Sequence, residues 1–203
     1  YLSGPSQSNL EMDALLWRDF YTVMLPITFI GIFFVLLILL MSVPTPLRLI
    51  GTIVLSVLQI LGLTTLVFQE LIGIHIEFTL PIILFVVLMG LGMDYDIFLV
   101  SRMREFVDEG KDDTTAIIEA LERTGTIITS CGCIMAAAFG SMMLSSTITM
   151  KMYGFALATA IILDATVVRL FLVPSIMLLM QKYNWWPPKL AEIIESKLGK
   201  IEH

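Results

Sequence analysis

The chain has 203 residues, 57% of them apolar and 15% charged, with a mean hydropathy of +0.90. A soluble core of this size cannot bury that much apolar surface, which excludes a soluble globular domain. The formal charge of −6 comes from short polar stretches between apolar runs and says nothing about partners, and no basic patch interleaved with aromatics points to nucleic acid.

Tyr1 to Asn9 is polar and turn-rich, with no initiator Met and no cleavable signal pattern. Residues 1–18 therefore read as the extracytoplasmic end of something longer. A bilayer core of about 30 Å takes about 20 apolar residues in a helix, and five segments approach that length. Phe20 to Met41 is uncharged, with Pro26 expected near the helix start, where proline is tolerated best. Pro44 and Pro46 then break the chain, and Leu49 to Gln69, bounded by Arg48 and Glu70, completes a helical hairpin. The third span, Phe78 to Val100, carries Asp94 and Asp96 in otherwise apolar sequence, and Gly90 and Gly92 just before them permit close backbone approach or a bend. The fourth, Thr126 to Ser145, is rich in small residues such as Gly132, Ala136 and Gly140, which let membrane helices approach closely, so it is expected inside the bundle. Cys131 and Cys133 point about 200° apart on such a helix, which excludes a local disulfide or a shared metal. Tyr153 to Gln181 contains Asp164 and Arg169 and is followed by Trp185 and Trp186, residues suited to a membrane interface.

The predicted fold is an all-α integral membrane bundle of five transmembrane helices over residues 19–181. Lys and Arg cluster at Arg48, between spans three and four, and after span five, whereas the opposite side has only Arg18 and Lys151. The positive-inside rule then predicts an outer N-terminus and a cytoplasmic C-terminus in a multi-pass cell membrane protein. His75 falls in an outer loop as a solvated residue. Asp112 to Thr114 ahead of Ile117, Ala120, Leu121 and Thr124 predicts a short amphipathic helix on the inner surface. The tail over 182–203, with Leu190, Ile193, Ile194, Leu198 and Ile201 on one side, repeats that design.

Charges inside a span cost roughly 2.5–3.5 kcal/mol each on insertion scales, so Asp94, Asp96, Asp164 and Arg169 call for an explanation. On a straight helix Asp94 and Asp96 lie about 200° apart and cannot share one site. Two readings stay open: a buried carboxylate that loads and releases protons beside the Tyr95 hydroxyl, or Arg169 paired permanently with Asp94, Asp96 or Asp164 as a structural device. Thr124, Thr126, Thr129 and Ser130 could extend a relay, although such hydroxyls usually satisfy backbone carbonyls. The sequence has no phosphate loop, no metal-spaced His pair and no nucleophile elbow, so no enzyme and no cofactor are expected, and an ion gradient is the expected energy source.

The segment Gly90-Leu91-Gly92-Met93-Asp94-Tyr95-Asp96-Ile97-Phe98-Leu99-Val100-Ser101-Arg102-Met103-Arg104-Glu105 resembles the fourth-helix motif of the MMPL branch of the RND transporter superfamily. Ser3-Gly4-Pro5-Ser6, Arg123-Thr124-Gly125, the run Leu163-Asp164-Ala165-Thr166-Val167-Val168-Arg169-Leu170, and Val173-Pro174 extend the resemblance over nearly the whole chain. It implies the last five helices of a six-helix repeat, the C-terminal one, in a protein that uses the proton gradient to export lipids or other hydrophobic molecules. The proton-carrying Asp-Tyr pair falls on Asp94 and Tyr95, with Asp96 in the same motif and Asp164 and Arg169 in a second signature. It also implies partners: the bilayer, a hydrophobic cargo, and a further repeat with its own Asp-Tyr pair, in the same protein or another chain. The alternatives are a protein-secretion auxiliary of the same superfamily and a non-transporting bundle that senses lipid or sterol.

Overall fold

The computed structural model describes residues 15–40, 42–180 and 183–184, and among them all regular structure is helical. Five helices are long and apolar enough to cross a membrane: α1 (Leu15–Leu40), α2 (Pro44–Leu71), α3 (Leu80–Asp108), α4 (Asp113–Leu144) and α5 (Ile148–Met180). The all-α, five-span membrane bundle read from the sequence is the observed architecture. Short connections make successive helices antiparallel neighbours.

Local chemistry sets the helix boundaries. Pro44 and Pro46 occupy the first turn of α2 and Pro81 that of α3, where a missing N–H leaves nothing unpaired. Gly110, at φ +90°, reverses the chain between α3 and α4. Asp112 caps α4, its carboxylate accepting from Thr115 N at 3.2 Å and Thr115 Oγ1 at 2.6 Å. These bonds, the side-chain one foremost, hold the exposed Asp112 carboxyl below the usual carboxylate range.

Apolar side chains form two clusters stacked along the bundle. One contains Leu36, Leu49, Leu99, Met103, Ile128 and Met177; the other contains Phe20, Ile60, Leu84, Phe85, Met89 and Met152. Along α3 the first cluster resumes at Leu99 and the second ends near Met89, so Gly92 to Asp96 lies at the seam between them.

Four expectations change. Pro26 lies well inside α1, and the turn before it, Phe20–Met24, is π-helical. A π-helical stretch, Asp164–Leu172, likewise precedes Pro174 in α5. Proline has no N–H, and its ring pushes away the carbonyl four residues back, which a wider turn accommodates. No separate inner-surface helix occupies 112–124: α4 runs as one α-helix from Asp113 to Gly140. Ile117 and Ala120 pack into the same cluster as Leu99 and Met103, so the apolar face continues the bundle instead of turning along the membrane. α4 is also not the interior helix. Its most apolar window is 17% buried against 56% for α5, and its glycines approach α5 alone: a Cβ on Gly132 would stand 2.7 Å from Ala165 Cβ, and one on Gly140 3.8 Å from Ala158 Cβ. Gly90 and Gly92 introduce no bend, as α3 is α-helical from Leu80 to Asp108. The tail beyond Asn184, Trp185, Trp186 and Ser3 to Ser6 lie outside the described residues.

Candidate functional site

Helical rotation decides which acids of α3 enter the bundle. Asp96 is 2% exposed, whereas Asp94 is exposed on the opposite side of the same helix. Asp94 lines an open groove of about 480 Å³ with Met24, Thr28, Ile32, Phe85 and Met93 among its walls. Among the described residues it has no hydrogen bond or ion-pair partner.

Inside, the fully buried Arg169 of α5 binds on three sides. Its Nε and Nη2 donate to Asp164 Oδ2 at 2.8 and 2.6 Å, and Nη1 donates to Asp96 Oδ1 at 3.0 Å. Nη2 also donates to the Gly92 carbonyl at 2.5 Å. A Cβ on Gly92 would lie 3.6 Å from that Nη2, in ordinary van der Waals contact, so Arg169 passes directly over this position. Of the three acids that could pair with Arg169, two do so together and Asp94 does not. Guanidinium geometry suits this role, since its fixed fork of donors can satisfy two carboxylates and a carbonyl at once.

Tyr95 lies between the two acids of α3. Its ring centroid is 5.1 Å from Arg169 Cζ, a cation–π contact, and its hydroxyl donates to Met135 Sδ on α4 at 2.9 Å. The α4 hydroxyls do not extend a relay: Thr124 and Thr129 donate to the carbonyls of Ala120 and Gly125, and Thr126 and Ser130 face outward. Cys131 and Cys133 are free thiols, His75 is exposed, and no cluster of metal ligands occurs among the described residues.

Sequence reasoning missed Arg48, which reads as an ordinary cytoplasmic loop cation. It belongs to the first turns of α2, with Nε and Nη2 buried and lacking a hydrogen-bond partner. The signal was present: two prolines start the helix just before it, and a cation near a helix N-terminus opposes the macrodipole, so something else must favour it there. Asn184, also missed, is 1% exposed. Its carbonyl accepts from Ser42 Oγ and from Thr45 Oγ1 at 3.0 Å, and its Nδ2 donates to the Met177 carbonyl at 2.8 Å.

Residues 1–195 match the model of the MMPL family. Similar proteins include one named "Probable transport protein MmpL10" from Mycobacterium leprae, 34% identical over 93% of this chain and 18% of that protein. A second, "Probable transport protein MmpL12" from Mycobacterium tuberculosis, is 35% identical over 86% of this chain and 15% of its own length. The sulfolipid-1 exporter MmpL8 of Mycobacterium tuberculosis is 36% identical over 76% of this chain and 14% of its length. The chain thus spans less than a fifth of each of these relatives.

Proposed function

Because this chain belongs to the MMPL family, we propose that it forms the transmembrane half of an exporter of lipids or other hydrophobic molecules driven by the proton gradient. Asp94 is the proton carrier and Tyr95 its neighbouring hydroxyl. One observation carries this reading: among the described residues Asp94 has no cation partner, while all three nitrogens of Arg169 are engaged elsewhere. A carboxylate with no fixed counter-charge at membrane depth gains most from taking up a proton. The Arg169 pairs tie α3 to α5, and Tyr95 touches that cluster through its ring.

The lipid class of cargo is supported by the similarity to a protein named as a sulfolipid exporter. The groove beside Asp94 is where a further repeat, in the same protein or another chain, closes the proton path. The cell membrane is the proposed location, with the N-terminal side outside and the C-terminal side cytoplasmic, on the distribution of Lys and Arg.

The test is Asp94→Asn in the full-length protein, with export measured under an imposed proton gradient. Loss of proton-dependent export by about 100-fold, with the protein still in the membrane, is expected for a lost proton carrier. Export at the parent rate removes Asp94 from that role.

A further inference from the structure

The buried cluster is incomplete in charge if it ends at Arg169. Asp96 and Asp164 carry two negative charges and Arg169 one positive, leaving a net −1 in a site where Asp96 is 2% and Arg169 0% exposed. An unbalanced buried charge is costly, which directs attention to the nearest unused cation.

Helix register identifies it. A Cβ on Gly92 would meet Ile53 Cγ1 at 3.7 Å, which sets Ile53 of α2 opposite Gly92 of α3. The helices run antiparallel, so four residues onward on α3 and four back on α2 bring Asp96 level with Leu49, the neighbour of Arg48. Arg48 and Asp96 lie within each other's electrostatic reach. Two of the three guanidinium nitrogens of Arg48 are buried without a partner, and the third makes only a long 3.4 Å contact to Asn184 Oδ1. Asn184 is itself anchored to Ser42, Thr45 and Met177. The other elements add no competing charge at this level: residues 25–40 of α1 and 124–140 of α4 are uncharged. α5 offers Asp164 and Arg169, and α3 itself adds Asp94 on its far side.

We propose that Arg48 is a positioning residue that acts through Asp96. It supplies the fourth charge of the cluster from the N-terminal end of α2, and Asn184 holds it within reach of that carboxylate. Its Nε and Nη2, which have no hydrogen-bond partner of their own, leave its charge available to balance Asp96. The transport consequence rests on the proton-driven reading above; the charge balance does not.

The experiment uses the full-length transporter with Arg48→Gln, Arg48→Lys, Asp96→Asn and the double variants Arg48→Gln/Asp96→Asn and Arg48→Gln/Asp164→Asn. Expected is a displacement of the pH of half-maximal export by about one unit in Arg48→Gln, the scale of one lost charge interaction. Arg48→Lys should stay close to the parent, and Arg48→Gln should add nothing further once Asp96→Asn is present. A parent-like profile in Arg48→Gln, or an equal displacement with and without Asp96→Asn, overturns the proposal. Where Arg48→Gln fails to accumulate, Asp164→Asn should restore folded protein by returning the cluster to neutrality, and failure to restore it also overturns the proposal. Should Asp94→Asn leave export unchanged, the proton reading falls while this charge-rescue result still decides the role of Arg48.

Discussion

Arg169 reaches back five residues along its own helix to grip Asp164 through two nitrogens. On an α-helix, residues five apart point about 140° away from each other. The π-helical turns of Asp164–Leu172 carry more residues per turn and bring both side chains to one face. The local backbone therefore assembles the pair, and the pair then selects Asp96 from the two acids of α3. Deleting Thr166 should return this stretch to α-helical spacing with Asp164 and Arg169 four residues apart, about 40° from each other on one face, so that the pair is kept without the π-helical turns. Full-length protein carrying the deletion should melt close to the parent, and a large drop in melting temperature counts against the π-helical account.

Removing the guanidinium is expected to be more damaging than removing either acid. Arg169→Met strands two buried carboxylates, and breaking a buried pair costs about 3–5 kcal/mol. Arg169→Lys should rescue little, because a single ammonium cannot reach Asp164, Asp96 and the Gly92 carbonyl together. Thermal unfolding of the purified full-length protein ranks these variants, with Asp164→Asn expected above both.

Two glycines should behave oppositely. Gly132→Ala places a Cβ 2.7 Å from Ala165 Cβ and forces α4 away from α5, at about 1–3 kcal/mol for overpacking. Gly90→Ala meets nothing within 4 Å and should be neutral or slightly stabilising in a helix. Melting temperatures that fail to separate the two would mean that α4 and α5 are not in such close contact.

The cap of α4 has a defined pH dependence. The Asp112 carboxyl is held below its ordinary 3.8 by Thr115, so folding favours its ionised form. Its stabilisation is present above 3.8 and is lost as pH falls through the lowered folded value. The protection factor of the Thr115 amide, exchange corrected for its intrinsic pH dependence, should be high at neutral pH and fall in strong acid, and Asp112→Asn should flatten that dependence.

The five spans were legible because uncharged runs of sufficient length have few other fates, and the acid pair of α3 was legible from helical rotation alone. Which of Asp94 and Asp96 faces inward was not, since rotation separates them without fixing either to a neighbour. Asp164 and Arg169 stood out as charges in an apolar run and Asp164 was one of three possible partners of Arg169, yet their i, i+5 spacing fits no α-helical pair, so nothing in it favoured Asp164 over Asp94 or Asp96. The start of α4 read as a surface helix because Ile117 and Ala120 give the same periodicity whether they face lipid headgroups or a bundle. Arg48 read as a loop charge because the positive-inside rule already accounted for it, and Asn184 because only the return of the chain to Ser42 and Thr45 gives it partners.

Infrared difference spectroscopy of the full-length protein across an acid-to-neutral pH step tests most directly which carboxyl titrates. A protonated-carboxyl band is predicted to appear in the parent and in Asp164→Asn and to vanish in Asp94→Asn. A band that survives Asp94→Asn and disappears with Asp96→Asn would contradict the account, because it would move the proton onto the acid that Arg169 holds.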